Sequence, residues 1–120
     1  MKYDKNNIFA KILRGEIPCN KVYENEYVLS FYDINPQKKL HILVISKGEY
    51  IDLDHFNSEA SEKEIVEFNK SITHIVKMLK ISSSEDGYRV LTNIGLNGGQ
   101  EVPHLHHHIL GGEEIGKIVV

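Results

Sequence analysis

The order of patterned segments predicts an α+β fold: a mainly antiparallel five-stranded sheet with one short and one long helix. Three observations carry this. One long run, residues 65–79, has helical periodicity, and short β-prone runs bounded by Gly, Pro and Asn turns lie on both sides of it. The 120 residues, 41% apolar and 26% charged, suit one domain spanning 1–120, large enough to bury roughly two-thirds of its unfolded surface.

Each element has its own local signal. Asn7 precedes IFAKIL and Gly15 follows Arg14, the N-cap and C-terminal glycine of a short helix. Lys21–Glu24 and Val28–Tyr32 read as strands joined by Asn25-Glu26 in a hairpin. Asp33-Ile34-Asn35-Pro36 is a turn, because proline restricts Asn35 and lacks a donor. Leu40–Ile45 is almost wholly aliphatic, as a central strand is. Ser61 and Glu64 form a capping box, after which Ile65, Phe68, Ile72, Val76 and Leu79, with Ile75 beside them, share a helix face. Lys77 and Lys80 are placed in its last turn, complementing the helix dipole. Asp86-Gly87 turns into a fourth strand, Tyr88–Asn93, and Gly95–Gln100 is a glycine-rich loop. His104–Leu110 is the fifth strand, stopped by Gly111-Gly112.

Charge and composition exclude several functions. Fourteen basic against seventeen acidic residues give a formal net charge of −3, without the basic footprint of a nucleic-acid partner. The longest aliphatic run, Ile42–Ile45, is far shorter than the ~20 residues of a membrane span. Charges interrupt the N-terminal segment where a signal peptide is apolar, so a cytoplasmic location is expected. Cys19 is alone, which excludes an internal disulfide and a cysteine-based zinc site.

Histidine is the informative residue: seven in all, four of them between positions 104 and 108. His55 and His74 are expected to be ordinary structural or solvated side chains. On a strand, alternation puts His104, His106 and His108 on one face and His107 on the other. Two chemistries suit such a row. Neutral imidazoles ligate metals, but strand residues i and i+4 lie about 13 Å apart. Zinc requires nitrogens ~2.0–2.1 Å from one point, so two neighbours would need His41 or another ligand. Alternatively, a neutral imidazole attacks phosphorus and forms a covalent phospho-histidine, splitting one difficult step into two. Gly98-Gly99-Gln100 then reads as an anion cradle, since glycines let backbone N–H groups approach a phosphate.

The segments IFAKILRGEIP, FYDINPQKKLHILVISK and TNIGLNGGQEVPHLHHHILGG resemble the histidine triad (HIT) family, in its nucleotide-binding, Hint-like branch. His104-Leu105-His106-His107-His108-Ile109-Leu110 matches the family pattern His-φ-His-φ-His-φ-φ apart from position 107, and the segments together cover most of the chain. The resemblance implies the HIT-like fold, with the sheet continued across a homodimer. It implies hydrolysis of purine nucleoside 5′-phosphoramidates, of the nucleotidyl-amine or aminoacyl-adenylate type, without metal or other cofactor; the alternative is a nucleotide-binding regulatory or scaffolding module with negligible catalysis. His106 is then the nucleophile and His108 the phosphate-side donor, with His104 and His41 as a supporting hydrogen-bond chain. Asp33 would hold the ribose hydroxyls, and Ile8, Phe9, Ile17, Phe31, Ile34 and Leu43 the base. Asn93, Gly99, Gln100 and the backbone at Glu101 and Val102 would meet sugar and phosphate.

The chain departs from the family pattern at four places. His107 replaces an apolar residue, and Glu101 stands where some relatives have serine. Asn7 and Ala10 occupy the positions of a Cys-x-x-Cys zinc pair in some bacterial relatives, so that zinc site is expected to be lost. The tail EEIGKIVV lacks the Trp-Pro ending of many Hint proteins.

Overall fold

The computed structural model describes residues 2–118. Its elements are α1 (Ile8–Leu13), β1 (Lys21–Glu24), β2 (Val28–Tyr32), β3 (Leu40–Ser46), α2 (Leu53–Glu59), α3 (Glu62–Met78), β4 (Arg89–Leu91) and β5 (His106–Gly111). All strand pairs are antiparallel, in one sheet of order β1-β2-β3-β5-β4. β3 lies at the centre with six of its seven residues buried, as its aliphatic sequence predicts.

Short-range chemistry explains the ends of the helices. Asn7 caps α1 by accepting the Ala10 N–H, and Gly15 follows the helix at φ +79°, a conformation that costs glycine little. The Ser61–Glu64 capping box is formed in both directions at the start of α3. From that helix Phe68, Ile72, Ile75 and Val76 pack with Val28, Ile42, Val44, Leu105 and Ile109 into the larger core. α1 covers part of the opposite sheet face, where Phe9, Leu29, Phe31, Leu43 and Ile45 form a second, smaller cluster. The remainder of that face is open.

Four element assignments need correction. α2 has no counterpart in the sequence reading: only Phe56 of its seven residues is buried, too little to create a periodic pattern. β4 has three residues rather than the six of Tyr88–Asn93, because only Arg89–Leu91 finds partners on β5. β5 begins at His106, not His104, and includes Gly111. Before it, the Leu105 N–H donates to the Tyr50 carbonyl at 2.8 Å and the His104 N–H to the Val102 carbonyl at 2.8 Å, outside the ladder. Lys80 lies beyond the end of α3 in the left-handed region, φ +61°, leaving Lys77 as the cation of the last turn. No helix among the described residues is long and apolar enough to cross a membrane.

His107 sits on the α3 side, its ring 5.0 Å from that of Phe68 in an edge-on contact. Among the described residues its buried Nδ1 has no hydrogen-bond partner. His55 is structural: its Nδ1 accepts the Ile51 N–H at 2.8 Å. His74 packs against Tyr23 with ring centroids 5.0 Å apart. Val119 and Val120, the end of the divergent tail, lie outside the described residues.

Candidate active site

The open sheet face carries the histidines. β5 presents His106 and His108 there, and β3 supplies His41, two pairs along the register from His108. His104 does not join them on the strand. It is fully buried, because the turn before β5 directs its ring beneath the site. Three rings therefore line the cavity, but they are His41, His106 and His108, and the row expected from strand alternation is broken at its first member.

Hydrogen-bond partners assign the proton on each ring. His104 Nε2 lies 2.7 Å from the Ser46 carbonyl, which can only accept, so Nε2 carries hydrogen. Its bare Nδ1 then accepts from the Tyr3 hydroxyl at 2.6 Å. His106 Nδ1 lies 2.6 Å from the His104 carbonyl and donates to it, which leaves Nε2 as the free lone pair. His41 runs the other way. Its Nδ1 accepts the Gln37 N–H at 3.0 Å, so Nε2 bears the proton and donates to His108 Nδ1 at 2.8 Å. His108 must then carry its hydrogen on Nε2. Two rings with centroids 5.2 Å apart thus offer opposite functions, a bare nitrogen on His106 and an N–H on His108.

Burial holds these rings neutral. It lowers the pKa of His104 to about 4. Burial, with smaller contributions from His106 and His41, also brings His108 to about 4. His106 and His41 are lowered for the same first reason, opposed in each by the Asp33 carboxylate.

The cavity, about 290 Å³, is near the lower end of small-molecule sites. Phe9 and Leu43 form its apolar end, with Phe31 packed edge-on beneath Phe9 at 5.9 Å rather than lining it. Asp33, Asn93, Gly99, Glu101 and Val102 line it as expected, joined by Asn35 and Gln37, for which the sequence carried no signal. Ile34 is 87% exposed and Ile8 42%, and neither lines the cavity; the turn after β2 points Ile34 to solvent. Ile17 is partly buried and also lies outside the lining.

The glycine loop works differently from the expected cradle. The Gly99 and Gln100 N–H groups are already bonded to the Leu96 and Gly95 carbonyls. The Gln100 amide reaches the Ile51 and Val102 carbonyls at 2.7 and 3.0 Å, bracing the loop rather than lining the cavity. A Cβ on Gly98 would stand 2.2 Å from the Ile94 carbonyl oxygen, so glycine is required there for close backbone approach. Among the described residues, the Glu101 and Val102 N–H groups have no protein partner.

Asp33, His41 and His108 place three possible ligand atoms within 4.8 Å of one another, the arrangement a metal reading would use. Donor chemistry counts against it. With the Gln37 N–H occupying Nδ1, His41 Nε2 must be protonated, and it has no lone pair for a cation unless the ring turns over.

Fold and site together have the form found in HIT family hydrolases. The structure of a HIT family hydrolase from Clostridium thermocellum matches with a TM-score of 0.86 at 34% identity, covering 98% of this chain and 99% of that one. A histidine triad protein from Clostridium difficile matches at 0.82 with 40% identity, covering 98% of each chain. An uncharacterised 13.2 kDa HIT-like protein of Azospirillum brasilense is 49% identical, covering 98% of this chain and 94% of its own. The purine nucleoside phosphoramidase of Escherichia coli K12 is 39% identical over 96% and 94% respectively. The HIT domain family profile matches residues 14–115, and the chain belongs to that family.

Proposed function

We propose that this chain hydrolyses purine nucleoside 5′-phosphoramidates through a covalent nucleotidyl-histidine on His106. The observation that carries the reading is the opposed pair of ring nitrogens: a lone pair on His106 and an N–H on His108 in one cavity. The purine and ribose take the end formed by Phe9, Leu43 and Asp33. The phosphoryl oxygens take the His108 Nε2–H, Asn93 and the free N–H groups of Glu101 and Val102.

His106 Nε2 attacks phosphorus while the P–N bond breaks, its electron pair going to the amine nitrogen. A neutral His108 is too weak an acid to supply that nitrogen's proton, so the proton arrives on the substrate nitrogen itself. Nucleotidylated His106 is cationic, and its Nδ1–H against the His104 carbonyl stabilises that charge. Water then adds its oxygen to phosphorus as the P–Nε2 bond breaks. The pair returns to Nε2 and the surplus proton passes to solvent.

A homodimer belongs to the same reading. β4 is a short edge strand with one side unpaired, and Val90 and Leu96 beside it are exposed.

The decisive measurement is release of nucleoside monophosphate from an adenosine phosphoramidate, with intact-mass spectrometry of acid-quenched enzyme. The wild type is expected to turn over and to show one added nucleotidyl group, and His106→Ala to lose both while still binding adenosine monophosphate. Turnover that survives His106→Ala overturns the mechanism. Nucleotide binding with no release above the uncatalysed rate leaves a regulatory binding module.

A further inference from the structure

Residue 104 holds the proposed nucleophile by its carbonyl and is itself held by its ring. The carbonyl accepts His106 Nδ1–H at 2.6 Å, and among the described residues no backbone N–H competes for it. It lies ahead of β5, where two tethers do the work of a ladder. One is the Leu105 N–H, on the far side of the same peptide, which donates to the Tyr50 carbonyl at 2.8 Å. The other is the fully buried imidazole, gripped at both nitrogens: Nε2–H meets the Ser46 carbonyl at 2.7 Å and Nδ1 the Tyr3 hydroxyl at 2.6 Å. That ring also stands edge-on to Phe9, and Phe9 edge-on to His106, with centroids 6.2 and 4.8 Å apart.

The segment that carries Tyr3 is braced on α1. The Asn7 side-chain amide donates to the Asp4 carbonyl at 2.7 Å, the Asn6 N–H to the Asp4 carboxylate at 2.9 Å, and the Arg14 guanidinium to the Lys5 carbonyl at 2.8 Å. Burial raises the Tyr3 pKa, so the hydroxyl keeps its proton and donates. Tyr3 does not line the cavity, so its influence on a bound nucleotide has to pass through His104.

We infer that Tyr3 is a positioning residue: by seating His104 it keeps that residue's carbonyl against His106 Nδ1–H, and so keeps the lone pair on His106 Nε2. Without that acceptor the ring proton is free to leave Nδ1 for water while another arrives on Nε2. The resulting tautomer donates where a nucleophile is required. The inference rests on the phosphoramidase reading and adds to it a residue outside the cavity. Because only chains with the correct tautomer react, loss of the hydroxyl lowers kcat and leaves KM alone.

The test is Tyr3→Phe, which retains the ring standing edge-on to His104 and removes only the hydroxyl. It has two readouts: kcat and KM for an adenosine 5′-phosphoramidate, and nitrogen NMR of histidine-labelled protein, which tells a protonated ring nitrogen from a bare one. The wild type is expected to show His106 protonated at Nδ1 and bare at Nε2. Tyr3→Phe should add a second form with hydrogen on Nε2, at unchanged KM. Its kcat should fall by the factor that depletes the first form, about two- to tenfold for one neutral hydrogen bond. Ile75→Val, which loosens the core on the opposite face of the sheet, should move neither readout. A His106 tautomer or a kcat unmoved by Tyr3→Phe overturns the inference, as does an equal loss of kcat in Ile75→Val, and each leaves the phosphoramidase reading standing. A wild type without turnover removes that reading, and the role of Tyr3 with it.

Discussion

Two histidines on the same strand face differ in function because of what each meets at Nδ1. The His104 carbonyl is an acceptor and fixes a proton on His106 Nδ1; His41 Nε2–H is a donor and strips His108 Nδ1 of its proton. In the proposed mechanism the nucleophile is thus prepared by backbone and the donor by a second side chain. The residue types and spacing at 106 and 108 were legible in the sequence. Tyr3 was not, since it reaches His104 across 101 positions, and no local pattern announces such a bond. Its role gives a prediction. Tyr3→Phe removes the only donor that faces His104 Nδ1 among the described residues and leaves a buried acceptor unsatisfied, which costs about 1–3 kcal/mol. Denaturant unfolding should show the midpoint falling with an unchanged slope; an unchanged midpoint would mean that water replaces the hydroxyl without penalty.

At the scale of elements, local chemistry was readable and tertiary choices were not. α1 and α3 were placed from their caps and apolar faces, and the hairpin from Asn25-Glu26, because those signals lie within a few residues of the structures they set. The start of β5 was misplaced because the Leu105 N–H donates to the Tyr50 carbonyl, a choice made fifty-five residues away, although the Leu105 carbonyl still accepts the Ser46 N–H of β3 at 3.4 Å. β4 stops at Leu91 although β5 continues to His106; beyond it the Thr92 hydroxyl donates to the His106 carbonyl at 2.8 Å in place of a ladder bond. That short strand leaves a free ladder edge next to the exposed Val90. An uncovered edge of this kind invites pairing with a second copy, so the chain is expected to sediment at twice its 13.7 kDa mass at micromolar concentration. Val90→Lys at that edge should shift the equilibrium towards the single chain. A wild type that stays at 13.7 kDa would remove the dimer from the proposed function.

For the molecule as a whole, burying so many imidazoles links stability to pH. Folding lowers the pKa values of His104 and His108 from 6.5 to about 4, and those of His41, His106 and His107 in the same direction. Between pH 6.5 and 4 the unfolded chain binds protons that the folded chain refuses, so stability rises with pH across that window and is lost as pH falls. Each fully shifted ring contributes a slope of about 1.4 kcal/mol per pH unit within it. For His106, the proposed nucleophile, the same shift has a different consequence. Because His106 remains neutral below its ordinary pKa, kcat/KM should hold level as the pH drops from 7 through 6.5, while the denaturation midpoint is already declining. Stability independent of pH from 7 to 5 would show that the rings are charged or solvated in the folded state. Activity halving near 6.5 would place His106 at its unperturbed value, and with it remove the buried, uncharged ring on which the proposed nucleophile's lone pair depends.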